Sequence, residues 1–237
     1  MIQIYNTVIK FFKKMQQKII TIIPARGGSK GISNKNLFIL DGQPMLSYSV
    51  LASINCDLIS ETYVSTDSKD IMDCASSLGA KIIKRPDSMC QDDSSSEEAL
   101  LHFASCTDFD IMCFIQATSP LITTGILANA IRYYLDSDVD SLISGYEDHG
   151  FWWKNNSPLY DPSNRPTRQQ QKNEGILYRE SGMFYITSKE KLLKSKCRYS
   201  GNSEIYPVKK MTSIDVDSIE DIRFVELIMQ KNNILGK

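Results

Sequence analysis

Short apolar runs alternate with amphipathic stretches along most of this chain. Ile19–Ile23 is an unbroken run rich in β-branched residues, short enough for a strand buried on both faces. Pro24 ends it, having no N–H to give to a ladder. Glu61–Thr66, Lys81–Lys84, Asp110–Ile115, Ser141–Ser144, the segment from Gly175 or Ser181 to Ile186, and Ile205–Val208 read as further strands. Asp110–Ile115 is the most apolar and is expected at the centre. Pro44 suits the first turn of a helix reaching about Ile54. Ser68–Leu78 places Ile71, Ala75 and Leu78 on one face, and Gly79 closes it. Ser94 and Glu97 have capping-box spacing at the start of a helix to Ala104. Thr123 or Thr124 caps a helix to about Leu135, Lys189–Leu193 is a brief helix, and Ser218 caps the last, to about Gln230.

Strands alternating with helices at this spacing predict an α/β chain with a mainly parallel sheet and helices on both faces. In such a sheet, functional residues collect at the carboxyl ends of the strands. Arg26, Asp67, Arg85 and Gln116 each fall just past a strand end. The periodicity dissolves between Gly145 and Tyr178, where Phe151-Trp152-Trp153 precedes Pro158, Pro162 and Pro166. This stretch reads as a protruding arm, 145–178, inserted in a single domain, 19–237, with part of its surface covered by a partner. Trp152 and Trp153 belong either to the arm's own core or to the wall of a site.

Composition adds few constraints and several exclusions. The 237 residues are 42% hydrophobic and 23% charged, with 27 basic against 28 acidic side chains. That balance has no polyelectrolyte character for nucleic acid. Six cysteines without a CxxC, and two histidines far apart, argue against zinc and for a reducing, cytoplasmic setting. In residues 1–18 the apolar pairs Val8-Ile9 and Phe11-Phe12 are broken by lysines and lack a small-residue cleavage site. A signal peptide and a membrane span are therefore not expected. A frayed leader, or a start ahead of Met15, fits this segment.

Two stretches carry chemistry. In IITIIPARGGSKGISNKN (19–36), a buried strand leads into Gly27, Gly28 and Gly31, with Arg26, Lys30 and Lys35 among them. Exposed backbone N–H groups and fixed cations suit a polyphosphate. Neither GxxxxGK[ST] nor GxGxxG is present, so neither familiar phosphate loop applies, and without the dinucleotide fingerprint a nucleotide-binding dehydrogenase is the weaker reading. The bland alternative is a surface turn with solvated lysines. The second stretch is Asp215-Val216-Asp217. Read as a strand, it projects both carboxylates to one side, where they can share a hard cation such as Mg²⁺. Alternatively, Asp215 lies on a solvent face and Asp217 caps the last helix.

The ordered set IIPARGGSKGISNKN, RPDSMCQDDSSS, QATSP, Arg168-Gln169, YRESGMFYI and IDVDSIED closely resembles the acylneuraminate (CMP-sialic acid, nonulosonic acid) cytidylyltransferase family from Ile19 to Gln230. The resemblance implies a Rossmann-like, GT-A-like nucleotidyltransferase fold and a homodimer joined through the arm. It also implies that CTP and a nonulosonic acid give a CMP-sugar and pyrophosphate with Mg²⁺. Carried over, Arg26, Ser29, Lys30 and Lys35 would hold the triphosphate, with Gly27, Gly28 and Asn36 completing the nucleotide loop, and Arg26, Lys30, Lys35, Asp215 and Asp217 would be the catalytic set. Arg85 and Ser96 would lie at the cytosine and ribose. Gln116, Arg168, Gln169 and Arg179 would serve the sugar acid, and Asp215 and Asp217 the Mg²⁺. QATSP departs from the family's QPTSP, which loosens the expected sugar contacts. A CMP-KDO-type synthetase and a non-catalytic nucleotide-sugar binding protein are the alternatives. No histidine is placed to act as a base, and a metal-activated hydroxyl is the favoured nucleophile.

Overall fold

The structure is a computed structural model that describes residues 17–28, 31–91 and 94–235. Residues 1–16, most of the expected leader, lie outside the described residues. In chain order, the first elements are β1 (Ile19–Pro24), β2 (Ile39–Leu40), β3 (Gln43–Pro44), α1 (Met45–Ile54), β4 (Glu61–Thr66), α2 (Lys69–Ser77) and β5 (Lys81–Lys84). Next come α3 (Ser96–Cys106), β6 (Ile111–Ile115), α4 (Thr124–Asp136), β7 (Ser141–Glu147), β8 (Trp153–Lys154), β9 (Ser157–Pro158) and α5 (Arg168–Glu174). The chain finishes with β10 (Tyr178–Ser188), α6 (Lys189–Ser195), β11 (Ser203–Pro207) and α7 (Ile219–Leu235).

Among the described residues, a seven-stranded sheet runs β11-β7-β10-β6-β1-β4-β5. All neighbours are parallel except β10, which is antiparallel to both β6 and β7. The most apolar strand, β6, is internal, as its composition requires. Alternation along β1 and β6 divides the core. Ile23, Cys113 and Ile115 face Leu46, Val50, Ile71 and Ile131. Ile20, Ile22, Met112 and Phe114 face Leu100, Phe103 and Leu192 on the other side. Helices therefore cover both faces. A third cluster seats α7 on the loops above the sheet, through Val216, Ile222, Val225 and Met229 against Ile32, Leu40 and Met45.

Several helices start on side-chain caps, with one displacement, whereas α1 starts after Pro44, which stands at the N-cap and not in the first turn and gives no side-chain cap. Ser68, Thr123 and Ser188 accept from the N–H of Ile71, Ile126 and Lys191. For α3 the cap is Ser95, accepting from Glu98 N at 3.2 Å, and not Ser94, whose hydroxyl accepts from Gln91 N. The one-residue shift releases Glu97 from the expected capping box. The stretch expected to be irregular contains the hairpin β8–β9 and the helix α5, whose Thr167 and Gln170 form a capping box.

Candidate active site

Two clefts adjoin at the carboxyl ends of the parallel strands. The first, about 330 Å³, is lined by Pro24, Arg26, Gly31, Lys35, Asn36, Ser96, Phe114, Gln116, Ala117, Thr118 and Asp217. The second, about 700 Å³, takes in Tyr146, Arg179, Glu180, Ser181, Gly182, Tyr185, Lys210, Met211, Ser213, Ile214, Asp215, Asp221 and Phe224. Gln116 and Asp217 line both.

The glycine-rich turn is tied down from several sides. Gly27 N donates to Asp67 Oδ1 at 2.9 Å, and Arg26 Nη1 to Gln91 O at 3.0 Å. The buried Asn36 amide donates to Arg26 O at 3.0 Å. Lys35 opens a 3₁₀ turn, Lys35–Leu37, entered by Asn34 at φ 51°. Gly31 sits so close to the backbone of Asp217 that a Cβ would stand 2.9 Å from its carbonyl oxygen, closer than a side chain tolerates. The phosphate loop and the carboxylate segment are thus packed on each other. Ser29 and Lys30, expected at the triphosphate, lie outside the described residues. Gly28 has open space around its Cβ position.

The expected strand at Asp215-Val216-Asp217 does not form: after a 3₁₀ turn, Lys210–Thr212, residues 213–217 pair with no strand among the described residues. Distant groups hold the segment instead. Val216 N donates to Thr118 O at 2.9 Å. Lys35 Nζ donates to Val216 O at 2.8 Å and to Asp217 Oδ1 at 2.9 Å. Asp221 Oδ2 accepts from Asp217 N and Ser218 N, while Ser218 Oγ accepts from Asp221 N. Both carboxylates still reach the second cleft, in unlike surroundings. Burial raises the pKa of Asp215, Thr118 opposes it through a hydrogen bond, and the neighbouring Asp217 charge adds to the rise. One oxygen of Asp215 is buried without a partner among the described residues. The Asp217 side chain is 74% exposed.

Other expected residues divide. Gln116 stands on the partition between the clefts, with its Oε1 buried and, among the described residues, unpartnered. Arg179 lines the second cleft, its guanidinium 5.5 Å from the Trp152 ring. Arg85 lines neither cleft: it is 5% exposed and donates to Ser65 O at 2.6 Å and Ser65 Oγ at 3.2 Å. Burial lowers its pKa, opposed by Cys90 and Asp67. Arg168 and Gln169 are exposed at the start of α5 and line neither cleft within one chain. Trp152 and Trp153 are 47% and 59% exposed, so the arm does not bury them as its core, and neither lines the second cleft.

The sequence reading missed Tyr146, Glu180, Lys210, Met211 and Phe224. Tyr146 had the same signal as Gln116, a place at a strand's carboxyl end. Lys210, on the 3₁₀ turn after β11 with its ammonium 5.4 Å from the Tyr146 ring, and Phe224, on α7, line the cleft from far along the chain. No local pattern marks them.

Comparison with known proteins gives a consistent set of likenesses. Residues 20–235 match the family model described as Cytidylyltransferase. N-acylneuraminate cytidylyltransferase A of Danio rerio is 33% identical over 95% of this chain and 54% of its own length. Pseudaminic acid cytidylyltransferase of Campylobacter jejuni is 27% identical over 91% of this chain and 98% of its own length. The chain thus spans about half the length of the first relative and nearly all of the second. Among solved structures, a CMP:2-keto-3-deoxy-manno-octonic acid synthetase complexed with CTP superposes with a TM-score of 0.69 at 16% identity, covering 91% of this chain and 99% of that one. A 4-diphosphocytidyl-2C-methyl-D-erythritol synthase from Anaerococcus prevotii gives 0.65 at 12% identity, covering 92% and 99%. These two likenesses concern the fold.

Proposed function

This chain belongs to the cytidylyltransferase family, and on that premise we propose that it transfers CMP from CTP to the anomeric hydroxyl of a nonulosonic acid, releasing pyrophosphate. The observation that carries the reading is the pair of adjoining clefts that share Gln116 and Asp217. The first is walled by Arg26 and Lys35 and suits a nucleotide triphosphate. The second is larger and offers Arg179 and Lys210 to a carboxylate, with Tyr146, Met211 and Phe224 against the apolar parts of a sugar.

In this reading the hydroxyl oxygen attacks the α-phosphorus in line. One bond forms between the sugar oxygen and the α-phosphorus, the bond from the α-phosphorus to the bridging oxygen breaks as pyrophosphate leaves, and the hydroxyl proton passes to solvent water. The chain's contribution is alignment and charge: Arg26 and Lys35 neutralise the triphosphate, and Gln116 fixes the acceptor at the boundary between the clefts. Asp215 and Asp217 fit a hard cation, since one is a half-buried carboxylate with a buried oxygen unpartnered among the described residues and the other is largely exposed beside it. No group of three or more metal-ligating side chains occurs among the described residues, so Asp215 and Asp217 are the residues that would hold the cation. Bound Mg²⁺ would supply charge stabilisation at the phosphates. Lys35, now paired with Asp217, would then turn to the triphosphate.

No helix among the described residues is long and apolar enough to cross a membrane. A cytoplasmic setting belongs to the same proposal and is supported by six cysteines that form no CxxC. Arg168 and Gln169 would meet a site only across a dimer. Pyrophosphate release should be assayed with CTP and with UTP against N-acylneuraminic, pseudaminic, legionaminic and 3-deoxy-manno-octulosonic acids. A base pocket that leaves polar groups unpaired against uracil costs about 1–3 kcal/mol per group. CTP should therefore win by at least about tenfold, with a nine-carbon acid as acceptor. Equal rates with UTP would contradict the base assignment, and turnover with the eight-carbon acid alone would replace the acceptor.

A further inference from the structure

Arg198 lies outside both clefts, yet its guanidinium is bound to parts of each. Its Nε and Nη2 donate to the two carboxylate oxygens of Glu97 at 2.6 and 2.7 Å, a fork-to-fork pair across 101 positions. Glu97 is in the first turn of α3, directly after Ser96, which lines the first cleft. The guanidinium carbon also lies 5.3 Å from the ring centre of Phe114 and 5.1 Å from that of Tyr185. Those two rings stack on each other at 5.3 Å. Phe114 is in the wall of the first cleft and Tyr185 in that of the second, where its hydroxyl donates to Glu180. One planar cation thereby joins the helix that carries Ser96 to the aromatic pair behind both clefts.

We propose that Arg198 is a positioning residue for the reaction: through Glu97 it fixes the start of α3, and through Phe114 and Tyr185 it fixes the wall between nucleotide and acceptor. It acts through these neighbours and touches no substrate. The pair is held strongly. Burial alone would lower the pKa of Arg198, but the Glu97 hydrogen bonds and charge override it and raise it. The hydrogen bonds from Arg198 lower that of Glu97. Both groups are charged through the working range of pH. A lysine at 198 would keep the charge but lose the fork and the flat face, so it is no equivalent.

The proposal rests on the nucleotide reading of the first cleft, and CTP binding to the whole chain tests the two separately. Affinity for CTP is measured by calorimetry for the wild type, Arg198→Met, Arg198→Lys, Glu97→Gln and the Arg198→Met/Glu97→Gln double variant, each with its melting temperature. The single variants should bind CTP about tenfold more weakly, and Arg198→Lys should recover only part of the loss. The double variant should be no worse than the singles, because both remove one coupling. If Arg198→Met does not fold, Arg198→Lys and Glu97→Gln carry the same comparison. Variants that melt lower yet bind CTP as the wild type does would make the pair merely structural and overturn the proposal. Losses that add in the double variant would overturn the coupling. A wild type that binds no CTP would instead remove the nucleotide reading and the brace with it.

Discussion

Position 182 has φ 74°, and a Cβ there would run into the Gln116 amide, 3.1 Å from its Cδ and closer still to Oε1. Glycine at this place both allows the left-handed backbone and leaves room for the side chain that separates the clefts. It also sits in the irregular stretch of β10, where the register against β7 shifts between Glu180 and Tyr185. Gly182→Ala should therefore cost about 1–3 kcal/mol in stability, read by urea denaturation. It should also lower kcat/KM by at least about tenfold, because Gln116 must move. Unchanged kinetics in a folded variant would detach Gln116 from the reaction. Gln116 itself was legible as the residue just past the most apolar strand. Gly182 was not, because its role depends on a side chain far away in the sequence.

At the scale of elements, the strands announced themselves, since a β-branched run such as 19–23 has few other uses in an α/β chain. The sense of β10 did not. Its composition is that of any buried strand, and only its pairing with β6 and β7 makes it antiparallel. The Asp215-Val216-Asp217 segment failed in the opposite way: its spacing suggested a strand, but bonds from Lys35, Thr118 and Asp221 determine its path. The cap of α3 slipped from Ser94 to Ser95 because consecutive serines offer equal local chemistry, and the distant Arg198 engages Glu97. The arm between β7 and β10 exposes Trp152, Trp153, Leu159, Ile176 and Leu177. A symmetric partner laid on this surface would cover it. Light scattering at micromolar concentration should then report about twice the 26.8 kDa chain mass. A monomer with full activity would leave Arg168 and Gln169 without a role.

On the scale of the whole molecule, the parallel strands end together beneath both clefts, and the loops that follow them, with β10 and α7, bring residues from 24 to 224 to one edge. Gly31 against the Asp217 backbone, and Lys35 on its carboxylate, close the distance between the two sequence motifs that first suggested a nucleotidyltransferase. Their meeting is the physical content of the proposed function. It is tested most directly by phosphorus NMR of the protein incubated with CTP, Mg²⁺ and a nonulosonic acid. The account predicts one phosphodiester resonance, from CMP joined to the anomeric carbon, appearing in step with one equivalent of pyrophosphate, and neither signal with Asp215→Asn. CTP left intact with every acceptor, or product formed at the wild-type rate by Asp215→Asn, would contradict it.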